Sequence, residues 1–103
     1  MPEPLVVTVS HRFSKEEAKR RIQEGLEPVR SQLAAFTTSV EDRWTGDCLD
    51  FRMAALGQSI TGRIEVMDRL VRVEVLLPGA LRWMGAKIAG LIRRRGALML
   101  EKT

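Results

Sequence analysis

His11 is the single histidine of this 103-residue chain, and its chemistry is the first to consider. Histidine often serves as a general base, but that role needs an orienting partner and a nucleophile. No Ser-His-Asp spacing is visible, and one histidine supplies too few ligands for a metal site. We therefore interpret His11 as a structural residue that hydrogen-bonds a strand-helix corner, and we predict no catalytic residue and no metal. An enzymatic function that uses His11 is a third hypothesis, after the two non-enzymatic functions given at the end of this subsection.

Three carboxylates and one thiol are the other groups that could do chemistry. Asp42, Asp47 and Asp50 could act as paired acids, but they lie around a predicted turn, and we expect them to be solvated. Cys48 is the only cysteine, which excludes an intramolecular disulfide. We expect an outward or half-buried thiol with no reactive role. The glycines form no phosphate-binding loop, so the sequence predicts no cofactor.

The positive charge of the chain is concentrated near its end. Residues 80–103 contain six basic residues and one acid, whereas the whole chain has a net charge of +4. Arg93, Arg94 and Arg95 are followed closely by the apolar residues Leu98 and Met99. Such a segment could dock on an anionic or lipidic surface, or it could be the solvated end of a core helix. These five residues are the candidate partner-binding surface.

Nucleic-acid binding is another function that a basic segment could serve. Single-strand binders usually expose several aromatic side chains on a platform. Aromatic residues make up only 5% of this chain, there is no tyrosine, and Trp44 and Phe51 have the phase of buried residues. We therefore expect no nucleic-acid partner.

Seven predicted elements position these residues, beginning with a strand and a helix. Alternating apolar residues predict the strand over Leu5–His11. Ser14 and Glu17 fit a capping box that opens the helix. The apolar stripe of that helix is Ala18, Ile22, Leu26, Val29, Leu33 and Phe36. Because the stripe keeps its phase across Pro28, we predict a kink near Gly25–Pro28 and no helix end there.

The remaining elements are four strands and a second helix. A period of two predicts strands over Ser39–Thr45, Cys48–Leu56, Ser59–Met67 and Leu70–Leu77. After Pro78-Gly79, a helical stripe follows, formed by Leu81, Met84, Ile88, Leu91, Ile92, Leu98 and Met99. A small-residue patch (Gly85, Ala86, Ala89, Gly90) would let this helix lie close to the sheet, and Gly62 falls on the inner sheet face. Gly96 is expected to end the regular helix.

The predicted fold class is α+β, with the element order β-α-β-β-β-β-α. Short links join the last four strands, so these form an antiparallel meander. One face of the strands alternates polar, which indicates a curved five-stranded antiparallel sheet with both helices on one face, a helix-grip-like arrangement. The length allows one domain, residues 1–103.

Composition and the N-terminus indicate a cytoplasmic protein. Hydrophobic residues make up 45% and charged residues 29% of the chain, as in ordinary globular proteins. No apolar run is long enough to span a bilayer. The opening MPEPLVV has no basic leader and no cleavage site, so nothing in it suggests secretion.

Three blocks of the sequence carry a resemblance to a known family. They are LVVTVSHRFSKEEAKRRI, WTGDCLDFRMAALGQSITGRIEV and VEVLLPGALRWMGAKIAGLIRRRGALML. In this order they resemble the putative polyhydroxyalkanoic acid system protein family, small bacterial proteins whose genes lie near polyester storage-granule genes. Pro28 and Cys48 depart from the family pattern. The resemblance implies a setting in polyhydroxyalkanoate storage, and none of its motifs is a catalytic signature.

Two hypotheses about function follow. In the first, the chain is a non-enzymatic accessory protein that associates with a polyhydroxyalkanoate granule surface or a granule-bound partner through its basic C-terminal helix. In the second, it binds a small molecule, acyl or otherwise apolar, between sheet and helix. The pocket residues would be His11, Trp44, Phe51, Val73 and Ile88. An open strand edge could also pair two copies of the chain into a homodimer.

Overall fold

The computed structural model describes residues 4–33, 39–55 and 57–100. Within them lie five strands and two α-helices, in the predicted order. Their bounds are β1 Leu5–Ser10, α1 Lys15–Leu33, β2 Ser39–Thr45, β3 Cys48–Ala55, β4 Gln58–Val66, β5 Leu70–Leu76 and α2 Gly85–Met99, with a 3-10 helix over Gly79–Met84 before α2. The strand bounds differ from the prediction by at most one residue, and Leu56, the predicted last residue of β3, lies outside the described residues.

The sheet is antiparallel throughout, with strand order β1-β5-β4-β3-β2. Strands β2 to β5 form the predicted meander because each link is too short for a crossover. Gly46 and Gly57 make the first two turns with φ of 62° and 75°, a conformation that glycine adopts without a steric penalty. Strand β1 pairs with β5, so β1 and β2 are the edges. The α+β fold predicted from periodicity is confirmed.

The inner face of the sheet supplies most of the core. Its central row crosses all five strands by register and consists of Val7, Val73, Ile64, Leu49 and Trp44. The first four of these side chains are buried, and Trp44, on the edge strand, is half-buried against them. Both helices pack on this face, because Ala18 and Ile22 of α1 and Ala89 of α2 belong to the same buried cluster.

The outer face of the sheet is charged and carries neither α1 nor α2. Arg63 donates to Asp50 on the neighbouring strand at 3.0 Å, and Arg72 lies between Glu65 and Glu74. Such exposed pairs contribute little to stability, but they keep this face soluble without a covering layer. This is the one-sided sheet that the polar alternation predicted.

Helix α1 begins as predicted and runs through its proline. The Glu17 N–H donates to Ser14 Oγ at 3.1 Å, which is one half of the capping box. The Glu17 carboxylate, however, accepts from Arg20 and Arg21. The helix continues across Pro28 to Leu33, so the proline does not end it. Phe36 and the side chains of Val29 and Leu33 lie outside the described residues.

Helix α2 continues through Gly96, contrary to the expected helix end at that position. It reaches Met99, and the Leu100 N–H donates to the Gly96 carbonyl oxygen at 3.0 Å. A Cβ on Gly96 would come within 2.9 Å of Cγ2 of Val9, so the glycine lets α2 lie directly on β1. Gly25 of α1 plays the same part for α2, since a Cβ there would meet the Met99 side chain at 2.5 Å. Both glycines therefore allow α2 to lie close to its neighbours, Gly96 to β1 and Gly25 to α1.

Of the small-residue patch predicted to approach the sheet, only Ala89 packs against the core. Added Cβ atoms on Gly85 and Gly90 would meet open space, and of the four residues only Ala89 is buried. Gly62 does lie on the inner face, but the Phe51 ring from β3 covers it, and no helix fills that space. Phe51 packs there on the backbone of the neighbouring strand, as an aromatic residue does opposite a strand glycine.

Two glycine substitutions should therefore change the free energy of unfolding in opposite directions. Gly62→Ala should lower the free energy of unfolding by about 2 kcal/mol, because its Cβ would lie 2.6 Å from the backbone oxygen of Glu74, which cannot move independently of the sheet. Gly90→Ala should raise it by up to ~1 kcal/mol through helix propensity. Urea denaturation of both variants checks this expectation. Equal effects at the two positions would contradict it.

Candidate functional site

The 3-10 helix and α2 together carry five residues at helical spacing on the side directed away from the sheet. Trp83, Lys87, Leu91, Arg94 and Leu98 follow one another at steps of three or four residues, so they share one side of the helix. The 3-10 helix runs into α2 without a break, since Met84 and Gly85 both have right-handed helical dihedrals. We call these five residues the outward stripe.

The apolar members of the outward stripe are unusually exposed. Trp83 is 74% exposed, Leu98 66% and Leu91 49%. The other large apolar side chains with high exposure in the described part of the chain are Val6 and Leu76, which lie on the outer sheet face. Single exposed apolar residues are normal, but three in line on one helix indicate an interaction surface.

The charge on this segment is positive and unpaired. Residues 79–100 contain five cations and no acid: Arg82, Lys87, Arg93, Arg94 and Arg95. Across the described ranges, none of these five makes an ion pair or a side-chain hydrogen bond. The cationic groups therefore keep their full capacity to bind an external anion.

Helix α1 shows the opposite charge arrangement. Two of its arginines pair with acids on the same helix, with Arg20 between Glu17 and Glu24 and Arg21 on Glu17, whereas Lys15 pairs with Asp47 and Asp68. The hydrogen bond from Arg20 lowers the pKa of Glu17 below its ordinary value, although burial acts in the other direction. Within the described ranges the two helices thus differ in charge balance, and the cations of α2 lie unpaired along a line of exposed apolar groups.

The structure places the five predicted partner-binding residues in two environments. Arg93, Arg94, Arg95 and Leu98 are exposed, as expected of a docking surface. Met99 is half-buried and packs against the core beside Gly25, so its assignment to the surface is wrong. Leu100 is buried as well. The helix turns these two side chains inward because they follow Ala89, Ile92 and Gly96 on its inner side.

Sequence reasoning missed three members of the outward stripe. Leu91 was assigned to the inner apolar stripe together with Ile92, but adjacent helical residues point about 100° apart, and only Ile92 packs against the core. Trp83 and Lys87 are absent from the partner-binding surface predicted from the sequence. The 83/87/91/94/98 spacing was present in the sequence and could have revealed this surface.

His11 has the structural role predicted for it. It is 6% exposed, its Nδ1 accepts from the Phe13 N–H at 3.1 Å, and its Nε2 donates to the Met67 carbonyl oxygen at 2.8 Å. The two contacts together define the neutral ring with the proton on Nε2. Both nitrogens thus serve the backbone of the β1–α1 corner and of the link between β4 and β5.

The five predicted pocket residues are not brought together around one cavity. Val73 is buried in the central row, and Trp44, Phe51 and Ile88 pack against the core. His11 directly follows the last residue of β1 and lies at an open cleft. That cleft is formed by residues 10–13, Asp68, Arg69 and Leu100. Trp44, Phe51, Val73 and Ile88 do not line that cleft. Lys19 lies 4.9 Å from the Trp44 ring centroid and donates to the Gly46 carbonyl oxygen, which holds α1 over the β2–β3 turn.

The remaining chemical groups are engaged on the surface. Asp42 pairs with Arg30, Asp47 with Lys15 and Asp50 with Arg63, so the three exposed acids face cations and not each other. Burial raises the pKa of the half-buried Cys48 thiol, which disfavours the nucleophilic thiolate.

No group of three or more histidine, cysteine or acidic side chains in residues 4–33, 39–55 and 57–100 is arranged to hold a metal ion. No helix in the same ranges combines the length and apolarity needed to cross a membrane.

Replacement of His11 should destabilise the fold through its two backbone partners. His11→Ala would leave the Phe13 N–H and the Met67 carbonyl without their partners and should lower the free energy of unfolding by about 2 kcal/mol or more. Ser10→Ala, at the exposed neighbouring position, should change it by no more than about 0.5 kcal/mol. Thermal and urea unfolding measure both. Equal stability of the two variants would show that the ring does not fix this corner.

Comparison with known proteins gives one match. The model of a family described as putative polyhydroxyalkanoic acid system protein matches residues 5–98, which is nearly the whole chain. Comparison with curated proteins and comparison with solved structures each gave no match.

Proposed function

Because the chain belongs to the putative polyhydroxyalkanoic acid system protein family, we propose that it is a non-enzymatic accessory protein of polyhydroxyalkanoate storage. It associates with storage granules in the cytoplasm, and the outward stripe of α2 makes the contact. The single observation that carries this proposal is the alignment of Trp83, Leu91 and Leu98, all strongly exposed, with free cations on the same helix.

The way α2 is held supports a role in surface contact. Its inner side is fastened to β1 through Gly96 and Val9 and to α1 through Met99 and Gly25. The outward stripe therefore has its binding conformation before it meets a partner. Binding then avoids the loss of conformational entropy that ordering a flexible segment would cause. Amphipathic helices with arginine or lysine beside tryptophan and leucine bind the boundary between water and an apolar phase. A storage granule in water presents such a boundary.

The state of the chemical groups supports a non-enzymatic role. His11 is committed to two backbone contacts, and the Cys48 thiol has a raised pKa. Asp42, Asp47 and Asp50 each face a cation on the surface. An acid-base or nucleophilic mechanism would need one of these groups free and close to a second one.

The small-molecule alternative has less support. Its five residues divide between the packed core and the His11 cleft, and the Phe51 ring occupies the space over Gly62 that could have left a void. The granule hypothesis accounts for exposed side chains that a ligand pocket in the interior would leave unexplained.

Removal of the apolar anchors should abolish granule association without unfolding the protein. In co-sedimentation with purified polyhydroxyalkanoate granules, Trp83→Ser combined with Leu98→Ser should lower the bound fraction at least about tenfold, because each buried anchor of this size contributes about 1.5–3 kcal/mol. Thermal stability should stay close to that of the parent, since both side chains are mostly exposed.

Leu76→Ser is the matched control, because Leu76 is 40% exposed on the opposite, outer face of the sheet. This variant should bind granules as the parent does. If the double variant bound granules as the parent does, or if the control lost as much binding, the outward stripe would not be the granule contact. No binding by the parent at any salt concentration would contradict granule association itself.

A further inference from the structure

We infer that the outward stripe binds an anionic phospholipid surface, with the helix lying in the plane of the headgroups. This inference rests on the proposed granule function and deepens it, because it commits to lipid headgroups as the partner and not to the polyester or a granule protein. Three properties of the stripe lead to it: its shape, its charge and its rigidity.

The shape of the stripe suits a flat, deformable partner. Trp83 and Leu98 stand at its two ends, fifteen residues apart, which corresponds to about 22 Å along a helix. Leu91 lies between them, so apolar side chains are spread along the whole length. The surface is the convex side of a single helix, and a protein partner would need a matching groove to bury it. A lipid layer closes around such a convex side without a preformed groove.

The charge of the stripe selects an anionic surface. Lys87 and Arg94 lie between the apolar residues, and Arg93 and Arg95 flank them, without an acid in residues 79–100. Long cationic side chains can lay their aliphatic stems along the apolar layer and keep their charged ends among phosphates. The polyester itself is uncharged and would leave these unpaired cations without a counterion.

The apolar residues argue against nucleic acid as the anion. A phosphate backbone would satisfy the cations, but it would bring charged groups against Leu91 and Leu98, which are 49% and 66% exposed. A lipid surface provides phosphate for the cations and an apolar layer for the leucines and Trp83. Tryptophan in particular favours the boundary between headgroups and acyl chains.

The rigidity of α2 predicts how binding proceeds. The helix is already formed and packed against Val9 and Gly25, so lipid has no unfolded segment to order. The far-ultraviolet circular dichroism spectrum should therefore not change on binding, whereas a segment that folds on a membrane gains helical signal.

Vesicle co-sedimentation tests the inference with protein-free lipid. The parent should bind vesicles of phosphatidylcholine mixed with phosphatidylglycerol and should not bind phosphatidylcholine alone. Lys87→Gln with Arg94→Gln should weaken binding roughly 25-fold, because each cation near an anionic surface contributes roughly fivefold. Arg43→Gln with Arg52→Gln is the matched control, since these two cations are exposed on the outer sheet face and should leave binding unchanged.

The outcomes separate this inference from the proposed function. Binding to granules without binding to anionic vesicles would overturn the inference and leave the granule function standing. Binding to anionic vesicles without binding to granules would overturn the granule function and support the lipid surface. Equal binding to neutral and anionic vesicles, equal loss in both charge variants, or binding to duplex DNA without binding to vesicles would each overturn the inference.

Discussion

The contact between α2 and the edge of the sheet determines which side of that helix meets solvent. Gly96 lies on Val9, and Met99 fills the space that Gly25 leaves on α1. A larger residue at Gly96 would crowd Val9, and one at Gly25 would displace the Met99 side chain. With this side held inward, the opposite side must expose its residues whatever their polarity. The solvent exposure of Trp83 is thus a consequence of close packing on the other side of the same segment.

The two helices differ in how their exposed charges are paired. Helix α1 buries Ala18 and Ile22 and pairs the exposed Arg20 with Glu17 and Glu24 on its own surface. Helix α2 buries Ala89, and its exposed cations have no ion-pair partner among the residues that the structure describes. Repulsion among these neighbouring cations is unfavourable for the isolated fold.

His11 and two aromatic residues of the predicted pocket contribute to the packing of the fold. The imidazole of His11 connects the β1–α1 corner to the link between β4 and β5, two segments that are 56 residues apart in sequence. Trp44 covers the edge of the core beneath Lys19, and Phe51 closes the space over Gly62. Residues that suggest a pocket or a catalytic base in a linear sequence are, in the fold, the parts that close its corners and edges.

The sequence by itself determined the order and type of the elements, the antiparallel meander, the one-sided sheet and the structural role of His11. Each follows from a local property: a period of two, a short link, a capping serine or a single titratable group. Only the tertiary structure decided the roles of the glycines and the orientation of α2. Leu91 and Ile92 are equally apolar neighbours, and both belonged to the predicted inner stripe. One of them had to face outward, and the choice was made by a contact with Val9, a residue of β1 that is far away in sequence. Periodicity shows that a helix has an apolar side, but a helix with apolar residues on two sides is oriented only by what it packs against.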